Sequence, residues 1–383
     1  MKSHLHLESA GSAAFLEDQA IPTRSDEMNS KIGRSGIPVL LLHNVDRCWE
    51  PSETRAALDA VDQLRSALQQ QGHPVSAVAV DDDGLTALLQ PFDPARWVVF
   101  NWCEEIPGSP RSDGRVVQVL ESMRFTYTGS PAHVLESSWD KAGAKKRLGR
   151  SGVPTPRWML CNTADPADWS GFPAIVKPAW EHCSVGINSG AVVLDRGQLL
   201  RRIAHVERIF QQPALIEDFI DGREFHVTLW GNGTVRMLPP AEMDFSAFDD
   251  VRDRLCTYDS KFTPGSEHYE KIEMKVPALL EAGQRELLRR TVVRAYRIFG
   301  CRDYARIDLR LRDGVFYVLD VNPNADLSPD TSMVYAAQVA GLSYGQVASR
   351  LVHIAAQRHP VFSRSLESSA PPKPSGKRAT PTR

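Results

Sequence analysis

At 383 residues the chain exceeds one ordinary domain, which predicts two or three packed subdomains. Lys and Arg total 45 against 47 Asp and Glu, a formal charge of −2, so no overall field favours nucleic acid or an anionic membrane. No apolar run approaches the about 18 residues of a membrane span and no secretory signal pattern opens the sequence, so the expected location is the cytoplasm.

Residues 1–35 mix Ser, Gly, Ala and charges without a period and read as a disordered arm, within which Met28 offers a second start. An α/β alternation follows. An apolar run over 37–43 has strand length. Ser52 then opens a helix with Leu58, Val61, Leu64 and Leu68 at helical spacing, and Gly72 ends it. Strands at 75–80 and 97–101, a short helix at 85–89, a helix at 116–123 and a strand at 125–128 complete an open parallel sheet over 36–130.

The section 131–212 predicts a helical segment 139–150 ended by Gly152, strands at 174–177 and 191–195, and a helix 197–210. The section 213–360 predicts strands at 214–219, 224–230 and 235–238, a long helix 277–299, a charged hairpin 304–322 and closing helices over 331–358. Residues 361–383, rich in Ser, Pro, Lys and Arg, read as a disordered tail.

The hairpin carries the strongest chemical pattern. Arg306, Asp308 and Arg310 share one face of a strand, and Asp320 and Asn322 share a face with Val318 on the return. The two charged sets meet only if the connection is odd in length or a bulge intervenes. A three-residue loop over Asp313, Gly314 and Val315 satisfies that parity. Two carboxylates and an amide oxygen beside a guanidinium suit Mg²⁺. A salt-bridged surface hairpin, with Arg306 on Asp308, fits the same residues equally well.

Lys177 ends an apolar strand, where its ammonium can meet a phosphate, and Ser184 and Gly186 follow in a loop whose N–H groups can cradle phosphate oxygens. A solvent-seeking strand-end lysine is the plainer alternative. Residues 215–224 run from apolar to acidic and bend at Gly222. Such an edge can present backbone to a purine and Glu224 to a ribose, or be a turn with solvated acids. GxxxxGK[ST], GxGxxG after the first strand, HExxH and GxSxG are all missing. Six cysteines (Cys48, Cys103, Cys161, Cys183, Cys256 and Cys301) form no CxxC pair, so their spacing predicts neither zinc nor disulfides.

Taken in order, these segments resemble the ATP-grasp superfamily and, within it, the D-alanine–D-alanine ligase-like branch, over about residues 37–355. The motifs are Tyr127-Thr128-Gly129-Ser130, Asp140-Lys141, Gly152-Val153-Pro154, Ile175-Val176-Lys177-Pro178, Ser184-Val185-Gly186 and Glu217 through Glu224. Tyr258-Asp259-Ser260-Lys261, Arg306-Ile307-Asp308 and Asp320-Val321-Asn322 complete the set. The resemblance implies an ATP-grasp α/β fold, with the open parallel sheet preceding central and C-terminal α+β subdomains that hold ATP between them.

It implies that Lys141 and Lys177 hold the nucleotide, that Glu217 faces the adenine amino group and the Ile220 backbone the purine edge, and that Glu224 binds the ribose. Ser184 falls in the loop over the phosphates, and Lys261 reaches the transferred phosphoryl group. Asp308, Asp320 and Asn322 match the ligands of two Mg²⁺ ions, with Mn²⁺ as a substitute, and Arg306 matches the oxyanion donor. The implied activity is a carboxylate–amine ligase working through an acyl phosphate on small molecules, with a homodimer as the expected assembly. An ATP-grasp enzyme with an internal or hydroxyl nucleophile, or a non-catalytic ATP-binding regulator, remains the alternative. The chain departs from the family at His43 through Glu50, at Pro323 through Pro329, at Cys183 and at Phe262, all on the substrate side.

Overall fold

The computed structural model describes residues 36–161, 166 and 168–364. The expected arm at 1–35, and all of the expected tail at 361–383 except residues 361–364, lie outside the described residues. Strand β1 (Val39–Asn44) is buried along nearly its whole length, as a central parallel strand must be. Its side chains alternate between two cores: Val39 and Leu41 enter one, Leu40 and Leu42 the other. Helix α1 (Pro51–Gln70) begins with proline in its first turn and a reciprocal cap between Glu50 and Glu53. The cap is thus Glu50 and not the expected Ser52, because Pro51 already sits inside the helix. Val61, Leu64 and Leu68 form its buried stripe, and Leu58 stays exposed.

Strand β2 (Val75–Val80), helix α2 (Leu85–Leu89), strand β3 (Val98–Trp102), helix α3 (Asp113–Ser122) and strand β4 (Thr126–Tyr127) follow. The sheet runs β2-β1-β3-β4, all parallel. The single helical segment expected over 139–150 is two helices, α4 (Ala132–Trp139) and α5 (Lys141–Arg150). Asp140 separates them: its carboxylate accepts the Gly143 amide at 2.9 Å and so starts α5 on Lys141.

A second, antiparallel sheet has the order β5-β8-β6-β7 and consists of β5 (Trp158–Cys161), β6 (Ala174–Pro178), β7 (Val192–Val193) and β8 (Ala214–Asp218). Helix α6 (Arg196–Phe210) covers it with Leu199, Ile203 and Val206. The strand expected over 191–195 shrinks to β7 because a 3₁₀ turn takes Ser189–Ala191 and Asp195 caps α6 through the Gln198 amide. β8 lies beyond residue 212, where the sequence places a boundary, yet it is the inner strand between β5 and β6.

The third sheet runs β12-β11-β9-β13-β14, with β10 paired to β9. Its strands are β9 (Arg223–Trp230), β10 (Arg236–Met237), β11 (Ala241–Asp244), β12 (Glu273–Lys275), β13 (Tyr304–Arg312) and β14 (Val315–Pro323). Between β11 and β12 lie α7 (Asp259–Phe262) and α8 (Glu267–Lys271). Helix α9 (Ala282–Phe299) packs Leu288, Val292, Tyr296 and Phe299 under the sheet. It starts at 282, not at the expected 277, because the Ala278 amide bonds back to the Pro240 carbonyl at 2.8 Å and Glu281 and Gln284 form the cap. Helices α10 (Ser332–Val339) and α11 (Tyr344–Ala356) end the fold, and Leu351 and Val352 of α11 share a core with Val39 and Leu41. Among the described residues no helix is long and apolar enough to cross a membrane.

Asp303 ties the layers together. Fully buried, it accepts the Gly129 amide at 2.9 Å, the Asn232 side chain at 2.8 Å and two bonds from Arg358 at 2.5 and 2.8 Å. Asp303→Ala should therefore lower stability by about 3 kcal/mol, through loss of a buried charge that three distant segments share. Urea denaturation checks this, with Asp303→Asn expected to lose less.

Candidate active site

One face of the third sheet builds the site. On β13, Ala305, Ile307, Leu309 and Leu311 enter the core over α9, which leaves Arg306, Asp308 and Arg310 on the other face. On β9, Phe225, Val227 and Leu229 do the same, which leaves Glu224, His226 and Thr228 beside them. The return strand needs a correction to the sequence reading. The connection is the two-residue turn Asp313-Gly314, both at positive φ (52° and 75°), and not a three-residue loop. A bulge restores the parity: Leu309 faces Val318, yet Asp308 faces Asp320, so Leu319 is the extra residue. Val318 consequently lies in the core, while Asp320 and Asn322 turn to the charged face.

The charged rows neutralise one another. Arg306 holds Asp308 through two bonds, at 2.7 and 2.9 Å, and Asn322 donates to Asp308 at 3.0 Å. The salt-bridged hairpin and the converging oxygen set are thus the same structure. Lys141 reaches Asp320 at 2.8 Å, and Arg310 reaches Glu224 at 2.8 Å. Burial favours the neutral form of all three carboxyls. Arg306 beside Asp308, Lys141 beside Asp320 and Arg310 beside Glu224 overcome it and hold them below the usual carboxylate range.

The carboxylates and the lysines line one open cleft of about 870 Å³. Lys141, Lys177, Ser184, Glu217, Ile220, Glu224, Lys261, Asp308 and Asp320 all line it. Arg306 and Asn322 join its wall through Asp308. Glu217, assigned from the resemblance to the adenine amino group, is almost fully buried between two cations: Lys177 at 2.5 Å and Lys145. It can meet a base only by sharing an oxygen with one of them. The Ile220 carbonyl accepts Arg310 at 2.9 Å. Ser184 donates to the Cys256 carbonyl at 3.0 Å and accepts from Lys261 at 2.9 Å, which joins the loop after β6 to the segment around α7. That loop turns through left-handed backbone at Cys183, Ser184 and Gly186. At Gly186 a Cβ would lie 2.7 Å from the Phe210 ring, so only glycine fits.

Sequence reasoning missed Lys145, His226 and the parts played by Arg310 and His182. Lys145 had a signal, since it lies four residues after Lys141 and so on the same face of a helix. It also donates to Thr155 at 2.9 Å, and burial with the Lys177 charge drives it well below the ordinary lysine range. His182, on the cleft loop, packs edge-on against Trp139 at 4.2 Å. Burial and the Lys141 charge push it down to about 4, so it is neutral at pH 7.

The family described as "D-ala D-ala ligase C-terminus" matches residues 156–353, just over half of the chain. The chain is also 33% identical over 306 residues to an uncharacterized protein, y4sG, of Sinorhizobium fredii, covering 78% of this chain and 88% of that one. The chain belongs to the D-alanine–D-alanine ligase family. To the D-alanine–D-alanine ligase of Pseudothermotoga lettingae this family member is 27% identical over 305 residues, covering 79% of this chain and 95% of that one. Its fold matches the D-alanine–D-alanine ligase from Bacillus anthracis complexed with ATP, with a TM-score of 0.65 at 19% identity. The match covers 88% of this chain and all of that one. The expected ATP-grasp α/β fold is the fold observed, and membership makes the chain an ATP-dependent, ADP-forming ligase that joins carbon to nitrogen.

Burial and the Lys141 charge push Lys177 down to about 8, against the pull of Asp320 and Glu224. Its positive charge therefore fades as pH rises through that value, and ATP affinity measured by calorimetry should fall over the same window. Lys177→Arg, always charged, should remove the break. The stability effect has the opposite sign. Unfolded chains keep this lysine protonated above pH 8, so its contribution to stability improves as pH climbs from 8 toward 10.5.

Proposed function

We propose that this ligase activates a small carboxylate as an acyl phosphate, using ATP and Mg²⁺, and passes it to an amine. The observation that carries the reading is the convergence of Lys141, Lys177 and Lys261 with Asp308 and Asp320 on one cleft. Moving a phosphoryl group onto a carboxylate brings anions together, and cations on both sides offset that repulsion. In this reading the sheet of β5 to β8 and the sheet of β9 to β14 clasp the nucleotide. Glu224 meets the ribose, the Ile220 backbone and Glu217 the base, and Lys141, Lys177 and Lys261 the phosphates.

The donor set fits the metal. Asp308 and Asp320 are direct cross-strand neighbours, both ionised, and Asn322 stands next to Asp308 with an amide oxygen to offer. Hard oxygens of this number suit Mg²⁺, and two ions are expected from the resemblance. When bound, the metal offsets phosphate charge. The chain's own residues do the rest: Arg306, beside Asp308, is placed to donate to the developing oxyanion. The loop carrying Ser184 closes over the phosphates and limits water that would hydrolyse the intermediate.

The substrates are amino acids or small peptides in this reading, and the pockets differ from those for two D-alanines. After Asn322 the chain continues Pro323-Asn324-Ala325-Asp326, and Asn324 is committed to structure, since its side chain accepts the Ser130 amide at 2.7 Å. Cys183 adds a thiol to the covering loop, where the family resemblance implies a serine. Retention of Arg306 favours turnover over regulation, because nucleotide binding alone has no use for an oxyanion donor.

Hydroxylamine added with ATP, Mg²⁺ and a panel of amino and hydroxy acids should trap the acyl phosphate as a hydroxamate. No hydroxamate with any acid would count against the acyl phosphate. Arg306→Ala should cut kcat by about 100- to 1,000-fold with a smaller change in ATP affinity, as read by coupled ADP release.

A further inference from the structure

Three metal-binding side chains of different chemistry meet in the cleft, beside the oxygen set assigned to Mg²⁺, with His226 the cross-strand neighbour of Asp308. Glu224 and His226 project from the same face of β9, and Cys256 approaches from the segment before α7. One donor atom of each lies within 4.8 Å of the other two, with Glu224 and His226 buried and Cys256 half-buried. The carboxylate is divided between two kinds of neighbour. Its Oε2 accepts Arg310 Nε at 2.8 Å, while Oε1 faces His226 Nε2 at a loose 3.3 Å, and the Cys256 thiol interacts with the same carboxylate. Arg310 cannot readily leave, because it also bonds the Ile220 carbonyl at 2.9 Å and stacks on Phe219 and Phe245 at 4.6 and 5.3 Å. Oε1 lies outside the Arg310 pairing and has the long His226 contact.

We propose that Glu224, His226 and Cys256 form a binding site for a thiophilic divalent cation of the zinc class. A carboxylate oxygen, an imidazole nitrogen and a sulfur are the donors zinc takes, whereas magnesium avoids sulfur. Three protein ligands leave a fourth position open to water. Arg310 outside the set fixes the carboxylate's orientation, as an outer partner of a ligand does. Binding forms a metal–sulfur bond and releases the thiol proton to solvent, so no other reactant is needed. Zinc–ligand bonds of about 2.0–2.3 Å require the three side chains to draw together by about 1 Å, within reach of rotamer adjustment. Sequence spacing could not announce the site. The absence of CxxC argues only against a local zinc motif, and these three donors converge through the packing of β9 against the chain before α7.

Glu224 is also the residue read above as the ribose ligand, so zinc and ATP should exclude one another. That consequence rests on the proposed function; the metal site itself does not. Zinc chloride titrated into the full chain against a fluorescent chelator, without nucleotide, should fill one site per chain. X-ray absorption should show mixed sulfur and nitrogen or oxygen ligation. Cys256→Ser and His226→Asn should each weaken zinc at least tenfold while melting as the parent does, and Cys48→Ser, exposed and outside the cleft, should not. Zinc affinity unchanged in both variants, or no zinc bound by the parent, overturns the site. Saturating zinc should raise the apparent ATP dissociation constant at least tenfold in the parent and leave it unchanged in Cys256→Ser. Zinc bound at these residues without any effect on ATP would sustain the metal site and overturn the assignment of Glu224 to the ribose.

Discussion

In the antiparallel ribbon of β13 and β14, one extra residue decides which side chains meet the cleft. With strict alternation after the Asp313-Gly314 turn, Asp320 would follow Phe316 and Val318 into the core over α9. A lone carboxylate there would cost several kcal/mol or lose its charge. Leu319 absorbs the mismatch as a bulge, and Val321 takes the core position in place of Asp320. From that slip follow the pairing of Asp320 with Asp308, the reach of Lys141 to Asp320 and the position of Asn322 beside Arg306. Leu319 itself lines the cleft, so the extra residue also supplies an apolar wall.

The site can hold so many buried charges because each of its carboxylates already has a basic partner. Arg306 with Asp308, Lys141 with Asp320, Arg310 with Glu224, and Lys145 and Lys177 sharing Glu217 leave every carboxylate of the set paired without a ligand, with the basic groups in excess. Buried ions unpaired by mutation are costly, whereas exchanging one partner for another is not. Ligand entry is therefore an exchange of partners among charges the fold has already desolvated. The arrangement explains why Lys145, which no phosphate could reach easily at 2% exposure, still matters to the site: it shares Glu217 with Lys177.

The parallel sheet was readable because β1, β2 and β3 are mainly apolar runs of strand length. Lys177 was readable for the same reason, as the charge that ends such a run. β11 and β12 were not, since Ala241–Asp244 and Glu273–Lys275 are short alternations of apolar and charged residues that any loop might contain. They become strands only because β9 offers a paired edge. The break at Asp140 hid inside a helical pattern, although Asp followed by Gly143 is a capping signal. The bulge left no mark at all: Leu319 has the composition of an ordinary strand residue. Likewise the nearness of Cys256 to Glu224 and His226 is a property of tertiary packing, which no local spacing encodes.

Leu351 and Val352, near the end of the described chain, complete the core that Val39, Leu41 and Phe100 begin. Synthesis on the ribosome runs in the opposite sense to that dependence. The first sheet emerges early with one face covered by α2, α3 and α4, while the other lacks part of its partner until residue 356 has been made. During that interval a growing chain presents sticky β-strand surface to the cell, so yield in living hosts should depend on translation speed and chaperone supply more than equilibrium stability would suggest.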